Sequence, residues 1–154
     1  MLGRNAFVGD VCSRIVSIAL PDMSIGEAAR VMREQHVGCL VVVEAGSEAR
    51  RLVGILTDRD IVTGVVAVQK DAQVVQVADV MCRGVVKVRE DDSILDALAS
   101  MRGKAVRRLP VVAQDDLLVG IVTIDDVLDL LAEEMHALAG AVHAAQRHEQ
   151  GGAR

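Results

Sequence analysis

Aromatic side chains are almost missing from this sequence: one Phe, no Tyr and no Trp occur in 154 residues. That absence counts against single-stranded nucleic-acid binding, which stacks bases on aromatic platforms. The apolar 51% is therefore nearly all Val, Ile, Leu, Ala and Met, a composition suited to β-branched strands packed under small helices. No apolar run approaches the ~18 residues needed to span a bilayer. Arg4 imitates the charged start of a signal peptide, but Asp10 and Arg14 interrupt the stretch that should follow.

Cysteine is scarce as well. Cys12, Cys39 and Cys82 are too scattered for a disulfide framework and form no C-x-x-C pair, which fits a reducing cytoplasm. Cys39, inside the apolar run "CLVVV", reads as a small buried hydrophobe. His36, His136, His143 and His148 lack metal-ligand spacing, so no metal site is expected. The net charge of −5 gives no general attraction for nucleic acid or anionic membranes. Any anion has to be caught by a local site.

What is present is a repeat. "VGDVCSR" (8–14) matches "VADVMCR" (77–83) at an offset of 69 residues. The same offset carries "SIGEAARVMR" (24–33) onto "SILDALASMR" (93–102) and "HVGCLVVV" (36–43) onto "AVRRLPVV" (105–112). Beyond a loop three residues longer in the first copy, "GILTDRDI" (54–61) lands on "GIVTIDDV" (120–127) at an offset of 66. Each copy predicts a helix capped by Ser24 or Ser93, with apolar stripes Ile25, Ala28, Ala29, Met32 and Ile94, Ala97, Leu98, Met101. Strands follow near 39–44 and 52–56, and near 108–113 and 117–122, and a second helix begins after Thr57 or at Ile124. Units of about 60 residues are marginal alone, so the copies should pack together about a pseudo-twofold axis. The expected division is a first repeat over 1–68, a linker over 69–76, a second repeat over 77–131, and a helical extension and tail over 132–154.

The ordered set "VADVM", helix, "RRLPVV", "LVGIVTIDDV", occurring twice, resembles a cystathionine β-synthase (CBS) domain pair, or Bateman module, over roughly residues 8–131. The resemblance implies an α/β (α+β) fold of two βαββα repeats packed sheet to sheet, with two clefts. It further implies a non-enzymatic regulatory module that binds adenosine-containing ligands, with AMP, ADP or ATP foremost and S-adenosylmethionine or NAD as alternatives, no cofactor being required. A CBS-pair scaffold for protein association without a ligand is the competing reading. An enzyme is disfavoured because no nucleophile with an activating base, metal constellation or Walker-type loop is found.

The T-x-x-D elements have a physical reading of their own. Thr57 and Thr123, at helix N-termini, leave backbone N–H groups suited to phosphate. Asp60 and Asp126 offer acceptor oxygens suited to a ribose diol. Both pairs also match the spacing of a capping box, so cap and ligand contact stand as alternatives. By resemblance, adenine slots would be lined near Ile15 and Val16 in one half and Gly84 and Val85 in the other. Val37, Val106, Ile55 and Ile121 would complete them. Arg107 and Arg108, aligned with Gly38 and Cys39, and Arg59, aligned with Asp125, are the candidate phosphate ligands. Which cleft the arginines serve is open.

Past the repeat, apolar residues recur at Val127, Leu131, Met135, Leu138 and Val142. This stripe suits either a seam with another chain, with a homodimer expected, or a helix lying on its own module. The final "RHEQGGAR" is expected to fray.

Overall fold

The computed structural model describes residues 6–46 and 48–151. The first repeat contributes α1 (Val8–Val11), β1 (Ile18–Ala19), α2 (Ile25–Gln35), β2 (Cys39–Val43), β3 (Leu52–Thr57) and α3 (Asp58–Ile61), which continues as π-helical turns over Val62–Val66. The second contributes α4 (Val77–Val80), β4 (Val88–Arg89), α5 (Ile94–Lys104), β5 (Arg108–Val112), β6 (Leu118–Thr123) and α6 (Ile124–Gly151). Strand ends fall within about a residue of the sequence expectation. The tail departs from it, because α6 stays helical through Arg147 to Gly151; residues 152–154 of the segment expected to fray lie outside the described residues.

Each repeat forms a three-stranded sheet, β1-β2-β3 or β4-β5-β6. In both, the first pair is parallel and the second antiparallel. A register shift falls at Val42/Val43 in one sheet and at the equivalent Val111/Val112 in the other. The helices preceding the hairpins start at serine caps: Ser24 Oγ accepts from Glu27 N–H at 3.1 Å, and Ser93 Oγ accepts from Asp96 N–H at 3.1 Å. Glu27 also accepts from the Ser24 backbone N–H at 2.9 Å, and this bond holds its carboxyl below the usual range. Both helices end on a left-handed residue, His36 (φ 55°) and Ala105 (φ 53°), at equivalent positions.

The packing units differ from the sequence copies. Val77 and Met81 are buried in the core of the first repeat, with Ile25, Met32, Leu40 and Leu56. Val8 is buried in the core of the second, with Ile94, Leu109 and Val122. Each repeat thus sends its first short helix onto the other's core. Matching backbone bonds fix the exchange: Val77 N–H to Met23 O (2.8 Å) and Ala78 N–H to Pro21 O (2.9 Å) on one side, Val8 N–H to Asp92 O (2.9 Å) and Gly9 N–H to Glu90 O (2.9 Å) on the other. The 69–76 connection takes part, since Ile25 N–H donates to Val75 O (2.9 Å) and Gly26 N–H to Ala72 O (2.8 Å). Full burial of a valine contributes about 1.5–3 kcal/mol, so Val8 and Val77, each 0% exposed, tie the halves substantially. The sheets meet in a third cluster of Val41, Val43, Leu52 and Val112, with Val16, Val85 and Ile121 at its margin.

Candidate functional site

Strand β3 ends in Thr57 and β6 in Thr123, and both turns are full capping boxes. Thr57 N–H and Oγ1–H donate to Asp60 Oδ2 at 2.9 and 2.8 Å, while Asp60 N–H donates back to Thr57 Oγ1 at 3.2 Å. The second turn repeats this: Thr123 N–H and Oγ1–H reach Asp126 Oδ2 at 2.7 and 2.9 Å, and Asp126 N–H returns to Thr123 Oγ1 at 3.2 Å. Cap and ligand contact, set against each other by the sequence, are compatible for the aspartates too. In both, every hydrogen bond that the side chain makes among the described residues falls on Oδ2. The Oδ1 atoms of these half-buried carboxylates stay available for a further donor.

The exchanged segments build the walls crosswise. After α4 the chain pairs with β3, Cys82 and Ile55 exchanging backbone bonds of 3.0 and 2.9 Å. That pairing lays the segment leading to Gly84 and Val85 beside β3, the strand whose last residue is Thr57. After α1 the chain pairs with β6, Ser13 and Ile121 exchanging two bonds of 2.9 Å, which lays the segment leading to Ile15 and Val16 beside β6, the strand whose last residue is Thr123. Val16, Val85 and Ile121 pack at the sheet junction, whereas Ile15 is 90% exposed and Gly84 is open. Val37 packs at the edge of the first core and Val106 at that of the second. Val106 and Arg107 also line an open depression of about 410 Å³ with Met101, Arg102 and Ile124.

Two glycines make this crossing possible, a role the sequence reading missed. A Cβ on Gly54 would stand 2.6 Å from Met81 Sδ and 3.0 Å from Cys82 O. One on Gly120 would stand 2.7 Å from Ser13 O and 2.8 Å from Cys12 Sγ. The signal was present in the Gly that opens both "GILT" and "GIVT", three residues before each Thr.

Charge separates the clefts. Burial raises the pKa of the Cys39 thiol; the charges acting on it are Arg108, which opposes the rise, and Asp60 and Asp58, which add to it. Arg108 of the second repeat therefore lies beside Cys39 of the first, the residue paired across the hairpin with Thr57. Burial also raises the Cys12 thiol, with Arg14 opposing and Glu90 and Asp126 adding. Here Arg14 is committed to Glu90 (3.4 Å) and to Gly9 O (3.0 Å). Arg59 and Arg107 are exposed, and Asp125, the counterpart of Arg59, is exposed and acidic. Among the described residues no group of three or more His, Cys, Asp or Glu side chains could hold a metal ion. No helix among them is long and apolar enough to cross a membrane.

Comparison with known proteins matches this architecture. The family model of the CBS domain fits residues 8–67 and again 77–133. An uncharacterised protein of Methanopyrus kandleri, MK0525, is 37% identical over 127 residues, which cover 82% of this chain and 63% of that one. Hypoxic Response Protein I, solved with two coordinated zinc ions, superposes with a TM-score of 0.71 at 31% identity, covering 80% of this chain and 98% of that one. The CBS domain pair of protein MJ0100, solved with 5′-methylthioadenosine and S-adenosylmethionine, gives a TM-score of 0.71 at 28% identity over 84% of this chain and 98% of that one. Two family matches on one chain, each ending past its own Thr–Asp turn, identify the protein as a member of the CBS-domain family, carrying a pair of CBS domains.

Proposed function

We propose that this chain is a regulatory sensor that binds adenine nucleotides in one or both of its Thr–Asp clefts and acts on a partner protein rather than catalysing a reaction. The observation that carries this reading is the pair of half-used carboxylates. Asp60 and Asp126 each hold a cap through one oxygen and keep the other for a ribose hydroxyl. Arg59, Arg107 and Arg108 serve phosphate, because the first N–H groups of α3 are already taken: Asp58 N–H by Gly38 O (2.9 Å), Arg59 N–H by Asp58 Oδ1 (2.8 Å) and Asp60 N–H by Thr57 Oγ1 (3.2 Å). Apolar residues of the crossing segments and of β3 and β6 supply the adenine slots. The adenosine ligands of the MJ0100 pair support the class, with AMP, ADP or ATP preferred here because of the arginines. The protein works in the cytoplasm as a homodimer, and no divalent metal is needed for binding.

A thermal-shift panel of AMP, ADP, ATP, NAD, S-adenosylmethionine and 5′-methylthioadenosine, with and without chelator, tests this. A ligand at about 100 times its Kd stabilises the fold by roughly 2.7 kcal/mol, and chelator should leave the shift in place. A flat response across the panel would favour the ligand-free scaffold.

A further inference from the structure

After its Thr–Asp turn α6 runs on as a regular α-helix, its base packed on the second core through Val127 and Leu130 and its later apolar residues Leu131, Met135, Leu138 and Val142 exposed. After the matching turn of the first repeat, α3 widens into the π-helical turns over Val62–Val66, a form frequent at functional sites. Gly64 stands there at the position of Leu130. It faces α4 closely, since a Cβ on it would lie 3.3 Å from Val80 Cγ1. Where Leu130 has a side chain Gly64 has none, and a hollow of about 320 Å³ is open between α3 and α4, lined by Asp60, Thr63, Gly64, Lys70, Asp79 and Val80.

The hollow presents charge of both signs. Asp79 accepts from Gln76 N–H at 3.0 Å through Oδ2, as Asp60 holds its own cap through Oδ2, so each carboxylate keeps Oδ1. Lys70 follows a left-handed Gln69 (φ 57°) and is tied by its backbone N–H to Val65 O at 3.0 Å. Its ammonium makes no ion pair or hydrogen bond among the described residues. The second repeat has Asp129 and His136 at the positions of Thr63 and Lys70, so this set occurs once. A simple anion would meet two carboxylates here, and a metal cation would meet Lys70. A group that carries both charges satisfies both.

We propose that this hollow takes an α-amino-acid group, its carboxylate on Lys70 and its ammonium on Asp79, as the tail of an adenosine ligand whose ribose is held at Asp60. The inference rests on the adenosine reading for what sits at Asp60. It adds a ligand class, a nucleoside carrying an amino acid at its 5′ end, beside the phosphorylated ones. A volume of about 320 Å³ lies at the small end of ligand pockets and suits a short tail rather than a whole nucleotide.

Calorimetry on the full chain with S-adenosylhomocysteine, 5′-methylthioadenosine and L-methionine tests this, because the first two share adenosine and sulfur and differ in the amino-acid group. S-Adenosylhomocysteine should bind roughly tenfold tighter than 5′-methylthioadenosine, the scale of two solvent-exposed ion contacts. Lys70→Ala and Asp79→Asn, the second still able to accept from Gln76 N–H, should each shrink that ratio by about threefold. Equal affinities for the two nucleosides overturn the hollow and leave the adenosine reading standing, as does a ratio that neither substitution moves. Binding of L-methionine but of neither nucleoside, lost in Lys70→Ala, keeps the amino-acid site for a free amino acid and overturns the adenosine reading. Binding of none of the three overturns both.

Discussion

The first repeat has Arg59 after its Thr57 turn and, from the second repeat, Arg108 beside Cys39; the second has Asp125 at the position of Arg59, and the arginine acting on its Cys12, Arg14, is already bound to Glu90. Strand order, register and caps repeat between the halves, yet the charges do not. Duplication preserved what folding needs, the glycines, caps and buried valines. The side chains that would choose a ligand diverged.

Binding should separate the clefts most. Asp60→Asn and Asp126→Asn keep most of the cap hydrogen bonding but lose the charge that strengthens a bond to ribose, a contribution of about 1.5–3 kcal/mol, or about 10- to 150-fold in affinity. Calorimetry with AMP should show the larger loss for Asp60→Asn, because Arg108 reaches into the first repeat beside Cys39 and Arg59 follows its Thr57 turn. Equal, parental affinity in both variants would reduce both turns to caps.

Stability should show the next difference. Gly120→Ala forces a methyl onto the Ser13 carbonyl and should cost about 1–3 kcal/mol in denaturant unfolding. Gly54→Ala meets the flexible Met81 thioether first and should cost less. A reversed order would mean that the α1 crossing yields more easily than the α4 crossing.

Smaller still is relief at the helix ends. Ala105 and His36 hold left-handed conformations that suit glycine, so Ala105→Gly and His36→Gly should each raise stability by up to about 1 kcal/mol, measurable in the urea midpoint.

The thiols give the finest distinction. With Cys82 exposed, Cys12 half-buried and Cys39 buried, a thiol reagent at pH 8 should modify them in that order. Because Cys12 and Cys39 have raised pKa values when folded, the stability they contribute is present below the ordinary thiol range and lost as pH rises through it toward the raised values. A variant with Ala at both positions should show a flatter stability profile above about pH 9.

The serine caps and the Thr–Asp turns were legible because each rests on residues three apart, the hairpins because their strands follow one another in the chain, and the doubling because whole stretches recur at a fixed offset. The exchange of α1 and α4 was not. "VGDV" and "VADV" are apolar segments that fit either core equally well in a one-dimensional reading, and only the tertiary path decides which core receives them. Arg108 was uncertain for the same reason. The residue it meets, Cys39, is its own counterpart in the other copy, a contact that a pseudo-twofold axis creates and sequence spacing cannot. Exposure of the α6 face was also hidden, since its periodicity is the same against a neighbour as against the module.

The crossed short helices bear on how such a chain could have arisen. Val8 and Val77 fill equivalent sockets in opposite halves, so one repeat alone would have an open socket and a free plug that fit each other only in trans. Two separate single-repeat chains could satisfy both by clasping, and joining them through residues 69–76 would tether the clasp and add the bonds of Val75 and Ala72 to the start of α2. The present chain is the tethered form of that pair. Cutting it in the connection should leave two fragments that still find each other, while either half alone keeps an unfilled core.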